Sequence, residues 1–211
     1  MQIKFDIDPD NTSATRYLSN ATGATWTLTN TTPGDSLARD VSITNDSTTD
    51  HSAKTAVLTG TDADGRAQTE TLDLPAASAK VTSAKYYLTL TTVVPSATIG
   101  TDTMDIGIDD KIASKTIVLN RHASTAAFVA LDVTGTIDVD VELTWDKPNR
   151  PNEFTWTDQE TPKWHNSTNL VGDTADALAE LDRTAEAARV FVNSYTDTAE
   201  IQVWIAQADD K

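Results

Sequence analysis

Apolar and polar residues alternate one by one along short segments of this chain. In the longest, TIDVDVELTWD, one side of an extended strand carries Ile137, Val139, Val141, Leu143 and Trp145, and the other side carries acidic residues and threonine. Such alternation predicts a strand with one buried face and one face in water, as in antiparallel sheets. QIKFDI, ATWTLTN and DVSITN repeat the pattern. We therefore expect an all-β fold, an antiparallel β-sandwich with at most one short helix.

The strand-like segments form two groups along the chain. The first group lies near 24–30, 40–45, 54–61, 66–74, 86–94 and 103–108, and the second near 115–120, 126–133, 136–145, 187–194 and 199–206. This grouping predicts two tandem sandwich domains, an N-terminal one over 1–108 and a C-terminal one over 109–211. One continuous sandwich is the alternative that the spacing leaves open.

A long irregular stretch, 146–172, interrupts the second group. Its prolines, asparagines and tryptophans predict a loop, and loops of this length in compact domains are usually functional or contact-forming. We expect Phe154, Trp156, Trp164 and His165 to contact a partner protein. Packing of the two tryptophans back on their own domain is the alternative, because buried tryptophans are common in cores. Trp145 and Trp204, at strand-like positions, are predicted to be core residues.

The segment that follows the loop, DTADALAELDRTAEAARV, is the one predicted helix. Its apolar residues Leu178, Leu181, Ala185 and Ala188 recur near the helical spacing of 3.6 residues, and Asp173 is placed to cap the first turn. We expect one or two helical turns here.

Charge and composition exclude several classes of function. The formal net charge is −16, so the chain repels phosphate backbones, and we expect no direct contact with nucleic acid. The charge suits a well-solvated surface or, alternatively, adaptation to a salty medium. No apolar run approaches the ~18 residues of a membrane helix, and MQIKFDIDPD lacks a signal-peptide pattern, so we expect no membrane association. The absence of cysteine excludes disulfides and thiolate chemistry.

The most concentrated local motif is TGTDADGRAQTE, which has two competing interpretations. A calcium loop with Gly65 at its sixth position places Asp62 and Asp64 correctly, but Gly60 and Thr71 then stand where acidic ligands are required. A type I turn fits better, with Asp62 accepting hydrogen bonds from the turn and Gly65 in the left-handed conformation of a G1 bulge. We predict a β-hairpin and keep Asp62 and Asp64 only as weak candidates for a metal site.

No catalytic constellation emerges from the remaining polar residues. The three histidines, His51, His122 and His165, are far apart in sequence and lack zinc-ligand spacing. The aspartates of TDTMDIGIDD (Asp102, Asp105, Asp109 and Asp110) read better as solvated charges at strand ends than as a two-carboxylate hydrolase site. We expect a non-enzymatic protein without a cofactor.

Two parts of the chain resemble structural proteins of tailed bacteriophages and related tailed viruses. The first is TGTDADGR with the following VTSAKYYLTLTTVVPSATIGTDTMDIGI. The second comprises FVALDVTGTIDVDVELTWDKP, the loop around Trp164 and His165, and AARVFVNSYTDTAEIQVWIAQ. The resemblance runs from about residue 24 to the end and contains no catalytic signature. The acidity and the stretch ADALAELDRTAEAA depart from the family pattern.

The resemblance implies an assembly role in a virus particle put together in the host cytoplasm. The expected function is that of a capsid decoration (cement) protein that stabilises the shell through intersubunit contacts. Its partners would be the major capsid protein or neck and tail proteins, and the chain itself would form a homo-oligomer such as a trimer or ring. The alternatives are a neck or tail component at the head–tail junction, or a carbohydrate- or receptor-binding module that uses the tryptophan-rich loop.

Overall fold

The computed structural model describes residues 2–120, 125–146, 163–196 and 198–207. These ranges contain fifteen β-strands and no helix, and their registered strand pairs are antiparallel. The predicted all-β, antiparallel class is confirmed. In chain order the strands are β1 (Gln2–Ile7), β2 (Ser13–Ala21), β3 (Ala38–Asn45), β4 (Thr55–Thr61), β5 (Ala67–Asp73), β6 (Lys80–Tyr87), β7 (Thr89–Pro95), β8 (Met104–Ala113), β9 (Ile117–Val118), β10 (Phe128–Thr134), β11 (Ile137–Thr144), β12 (His165–Asn166), β13 (Ala177–Glu180), β14 (Ala187–Tyr195) and β15 (Glu200–Ala206).

The chain divides into two compact units. One unit is Asp10–Ala113, and the other combines Met1–Pro9 with Ser114–Lys211. The division therefore lies five residues beyond the expected boundary at 108/109, and the first nine residues group with the C-terminal half. They do so because β1 pairs along its whole length with β15, from Gln2↔Ala206 to Ile7↔Ile201. Whether the units are independent domains stays a prediction.

The unit 10–113 is built from two sheets around one core. One sheet has the order β2-β8-β3-β6 and the other the order β5-β4-β7. Strands of both sheets contribute to a single buried apolar cluster that includes Tyr17, Ile43, Leu58, Leu90 and Ile106. A core shared between two sheets is the arrangement of a β-sandwich.

Close packing of β2 on β8 requires a glycine. A Cβ atom on Gly107 would lie 1.9 Å from the backbone oxygen of Ser13, far inside van der Waals contact. The two strands can approach this closely because Gly107 has no side chain.

The predicted strand over 24–30 is wrong, although its apolar residues are buried as the alternation implied. Trp26 is 7 % exposed and belongs to the core cluster, and Leu28 packs against it. The backbone nevertheless forms a loop, in which the N–H groups of Thr29 and Asn30 both donate to the carbonyl of Tyr17. Two amides that share one acceptor do not make a strand ladder.

The unit formed by 1–9 and 114–211 also contains two groups of strands. One sheet has the order β1-β15-β10-β13. In the other group β14 pairs with β11, which pairs with β12, and β9 pairs with β14. Alternate residues of the long strands are buried, among them Val139 and Val141 in β11 and Val203 and Ile205 in β15. The strand predicted from TIDVDVELT is thus confirmed, but the expectation that its second face lies in water is wrong. Asp140 and Thr144 on that face are buried, at 6 % and 1 % exposure, and Asp138 and Glu142 are half-buried.

The predicted helix over 173–190 is wrong, since this segment forms strand, turn and strand. Ala177–Glu180 pairs with β10, and the chain then turns at Asp182, whose Oδ1 accepts from the Thr184 N–H at 2.8 Å. Asp173 caps no helix, because its backbone exchanges two hydrogen bonds with Val139. Helix propensity is a weak preference, and pairing with an existing sheet overrides it here.

Two tryptophans predicted for the core also lie elsewhere. β11 ends at Thr144, and the next residue, Trp145, is 44 % exposed. Trp204 is half-buried on the face of β15 opposite to Val203 and Ile205, because adjacent residues of a strand point to opposite sides.

Candidate functional site

The predicted contact residues of the long loop are only partly within the described ranges. Phe154 and Trp156 lie outside them. Trp164 packs on its own unit: its ring centroid is 4.5 Å from Cζ of Arg189, whose Nε donates to Glu142 Oε2 at 2.6 Å. His165 is exposed, and its ring lies 5.7 Å from that of Trp145. The structure thus brings Trp164 and His165 to the edge of the β11–β14 pair and adds Trp145.

A different surface also carries exposed apolar side chains, namely the outward face of the sheet β1-β15-β10-β13. The strand register places Lys4, Trp204, Ala130 and Leu178 in one row across the four strands. The neighbouring row contains Gln2, Ala206, Phe128 and Glu180. We call these two rows the outer face.

The outer face has an apolar centre and a polar margin. Leu178 is 74 % exposed and Phe128 is 46 % exposed, and they flank the smaller Ala130. Lys4 covers part of Trp204, with Nζ 5.0 Å from the ring centroid. Protein interfaces commonly combine an apolar centre with a polar rim. Apolar side chains that cluster on one exposed face indicate an interaction site more often than isolated ones do.

Sequence reasoning missed the outer face for two reasons. The helical spacing around Leu178 predicts a helix and so hides the strand Ala177–Glu180 that pairs with β10. The prediction of Trp204 as a core residue disregards the alternation of EIQVWIA, which places it opposite Ile201, Val203 and Ile205. That alternation was the available signal.

The predicted hairpin at DADG is confirmed in detail. β4 and β5 pair in register, and the Gly65 N–H donates to the Asp62 carbonyl at 3.0 Å, with Gly65 at φ +78°. Asp62 Oδ1 accepts from the backbone N–H groups of Asp64 and Arg66, each at 2.9 Å. Asp64 Oδ2 accepts from Arg66 Nη2 at 2.7 Å. The carboxylates of both weak metal candidates therefore already serve the turn.

His51 is buried, and both of its ring nitrogens are engaged. Nε2 lies 2.9 Å from Asp102 Oδ2, and Nδ1 lies 3.1 Å from Lys54 Nζ, which also donates to the Thr98 carbonyl. The Lys54 ammonium is a donor only, so Nδ1 accepts and Nε2–H donates. With no ring nitrogen left for a substrate, this arrangement ties two loops together.

Three aspartates gather beside the bridge between β11 and Asp173. Burial, followed by the nearby charges of Asp140 and Asp138, raises the pKa of Asp173. Asp140 accepts from Asn193 Nδ2 at 3.0 Å and from the Gly172 N–H at 2.7 Å, so donors already occupy it. Across the described ranges no group of three or more His, Cys, Asp or Glu side chains has a geometry that holds a metal ion.

A buried ionic cluster in the unit 10–113 surrounds Arg39. The guanidinium donates to Asp35 Oδ2 at 2.6 Å and to the carbonyl oxygens of Asp10 and Asp109. Next to it, burial and then the charge of Asp109 raise the pKa of Asp40 to about 7. Asp40 is 3 % exposed and accepts from the Lys111 N–H, so it joins two strands and has no access to a substrate.

Comparison with protein-family models, with curated proteins and with solved structures finds no match to this chain. Among the described residues, no helix is long and apolar enough to cross a membrane. The case for a function therefore rests on the chain's own surfaces. The outer face carries Leu178, which at 74 % is the most exposed large apolar side chain of the described residues.

Proposed function

We propose that this chain is a non-enzymatic structural protein of a tailed virus and acts as a capsid decoration (cement) protein. The observation that carries the proposal is the outer face. It presents Phe128 and Leu178 to solvent from a four-stranded sheet. A cement protein acts by burying such a surface against neighbouring subunits.

The charged residues around the outer face suit a surface that neighbouring subunits cover. Its apolar centre is bordered by Glu180 and by Asp6 and Asp132 in the next row. Aromatic and large aliphatic side chains contribute most to binding when a polar margin keeps water out. With a net charge of −16, the chain fits best against capsid subunits that offer positive charge around an apolar patch.

The geometry of the polar residues also supports a binding role over a catalytic one. His51 has both ring nitrogens occupied, and the Asp62 and Asp140 carboxylates accept backbone N–H groups. These groups hold strands and loops in place. A neck or tail component that forms a ring is the second position in the particle that the same surface would suit.

Mass spectrometry of purified particles of the virus that encodes the chain tests the proposal. A decoration protein is expected on the order of hundreds of copies per particle, and a ring component on the order of a dozen. Absence of the chain from the particles would refute a structural role.

Particles assembled with variants then test the outer face. Leu178→Asp puts a charge into the apolar patch, on its edge strand β13, and is expected to abolish incorporation while the protein stays folded, because position 178 is already solvated. Val94→Asp is the matched control, since Val94 is 53 % exposed on β7 in the unit 10–113. Equal incorporation of both variants would contradict the assignment of the outer face.

A further inference from the structure

A groove next to Trp145 lies within the unit formed by 1–9 and 114–211 and is separate from the outer-face rows except at Glu180. Its volume is about 420 Å³, within the range of small-molecule sites. Its polar walls include Asn166, Thr168, Asn169, Glu180 and Asp182, and the indole of Trp145 forms a further wall. The buried side chains of Leu143 and Leu181 close its floor.

The indole of Trp145 is held in place without being buried. Its Nε1–H donates to Thr184 Oγ1 at 2.9 Å, and this hydroxyl donates to Asp182 Oδ1 at 2.8 Å. Asp182 Oδ1 also accepts from the Thr184 N–H, and these bonds lower its pKa. Although 44 % exposed, the ring therefore has a fixed orientation, which spares a ligand the cost of ordering it.

Polar groups around the ring remain available to a ligand. Among the described residues, neither the Glu180 carboxylate nor the Thr168 hydroxyl forms a hydrogen bond with another side chain or with the backbone. The Asn169 side chain reaches the Glu180 carbonyl only at 3.5 Å, through its Nδ2. The groove thus combines hydrogen-bond acceptors and donors, on Glu180, Thr168 and Asn169, with the aromatic surface of Trp145, which its bond to Thr184 holds in place.

We propose that this groove binds a neutral oligosaccharide. A sugar ring offers C–H groups on its faces, which carry partial positive charge, and these stack on the negative face of an indole. Its hydroxyl groups donate and accept at the edge, where carboxylate, amide and hydroxyl side chains face it. Trp145 would hold the ring face, and Thr168, Asn169 and Glu180 would bind the hydroxyls.

The charges in the groove exclude the other common ligands of an exposed tryptophan. Two carboxylates, Glu180 and Asp182, line the groove against one cation, Arg183, in a chain of net charge −16, so phosphorylated, sulfated or sialylated ligands are disfavoured. An apolar peptide side chain would leave the amide and carboxylate groups of the walls desolvated and unpaired, which is costly. A neutral polyhydroxylated ligand satisfies both conditions.

A glycan array followed by titration calorimetry tests the proposal. The array carries neutral oligomers of glucose, mannose, galactose and N-acetylglucosamine, with sialylated and sulfated glycans as anionic comparators. We expect binding of at least one neutral series and none of the anionic ones. No neutral ligand bound at millimolar concentration, or preferential binding of anionic glycans, would overturn the proposal.

Variants identify the groove as the binding site. Trp145→Ala is expected to weaken binding at least about tenfold, since it removes the stacking surface. Trp145→Phe keeps an aromatic face and loses the bond to Thr184, so a smaller loss is expected. If Trp145→Ala unfolds at a lower temperature than the wild type, the affinity of Trp145→Phe still shows whether position 145 contacts the glycan. Thr168→Ala changes an exposed side chain, so the protein is expected to stay folded and to bind the glycan a few fold more weakly.

The matched control is Trp204→Ala on the outer face, which is expected to change glycan affinity less than about twofold. Equal losses for Trp145→Ala and Trp204→Ala, or no loss for Trp145→Ala, would contradict the site. This inference is independent of the capsid role, because glycan binding can fail while incorporation into particles succeeds, and the reverse.

Discussion

Arg39 is the largest fully buried side chain among the described residues. Its replacement tests how much the fold loses when a buried carboxylate is left without its cation. The guanidinium is 0 % exposed and the Asp35 side chain is 2 % exposed, with 2.6 Å between Nη1 and Oδ2. Arg39→Met keeps most of the volume but leaves the Asp35 carboxylate buried without its cation. It also leaves the carbonyls of Asp10 and Asp109 without this donor.

The expected loss of unfolding free energy is about 3–5 kcal/mol, the usual cost of breaking a buried ion pair by removing one partner. Domains are commonly stable by only about 5–15 kcal/mol, so this is a large fraction of the total. At about 2–4 °C per kcal/mol for a chain of this size, Tm should fall by roughly 6–20 °C. Urea denaturation followed by circular dichroism measures the change.

Arg66→Met is the matched control. Its ion pair with Asp64 is nearly as short, 2.7 Å, but the two side chains are 32 % and 20 % exposed. The expected loss is about 0–1 kcal/mol, because water screens the pair. Adding Asp35→Asn to Arg39→Met should recover about 1 kcal/mol or more, since it removes the stranded charge. Similar small losses for both arginine variants would refute the reasoning.

Two further predictions concern pH and backbone packing. The folded protein holds a proton on Asp40 up to about pH 7, whereas the unfolded carboxyl loses it near its ordinary value of 3.8, so this group's contribution to stability falls as pH rises between these values. Compared with Asp40→Asn, the wild type should therefore lose more than about 1 kcal/mol between pH 5 and pH 8 in urea titrations, and parallel pH profiles would contradict this. Gly107→Ala should destabilise by about 3 kcal/mol or more, because its Cβ would meet the Ser13 carbonyl at 1.9 Å. Gly65→Ala, at φ +78° with nothing within 4 Å of the added Cβ, should cost only about 1–2 kcal/mol. Urea denaturation of both variants measures the two losses, and a larger loss for Gly65→Ala would show that the close approach at Gly107 is misjudged.

Local chemistry explains which parts of the fold could be predicted from the sequence. The DADG hairpin depends on neighbouring residues, because Asp62 and Gly65 make the turn by themselves. The strand β11 was equally accessible, since alternate valines must face the same side. In each case the determinants lie within a few residues of one another.

The missed features depend on distant partners. The segment ALAE has the composition of a helix and becomes β13 because β10 offers it a strand to pair with. The N-terminal segment groups with the C-terminal half through β15, about two hundred residues away. The environment of Arg39 likewise combines Asp10, Asp35 and Asp109, which no local pattern links.

The candidate surfaces follow the same division. The outer face is formed by four strands that lie far apart in the sequence. Within each strand, the alternation of residues tells only which side a residue faces, as at Trp204, and not which strands lie next to it. Composition alone marks the aromatic residues at the end of the loop, Trp164 and His165. It does not mark the exposure of Trp145, because β11 ends at Thr144 and a strand longer by one residue would have carried the tryptophan into the core.

Site-specific photo-cross-linking in assembled particles tests the central claim, that the outer face is the surface by which the chain joins a larger assembly. A photoreactive residue is placed at Leu178, with the same residue at Val94 as the control position on an exposed strand of the other unit. The account predicts a cross-link from position 178 to a capsid subunit or to another copy of the chain, and none from position 94. Particles in which position 178 gives no adduct, while position 94 does, would contradict it.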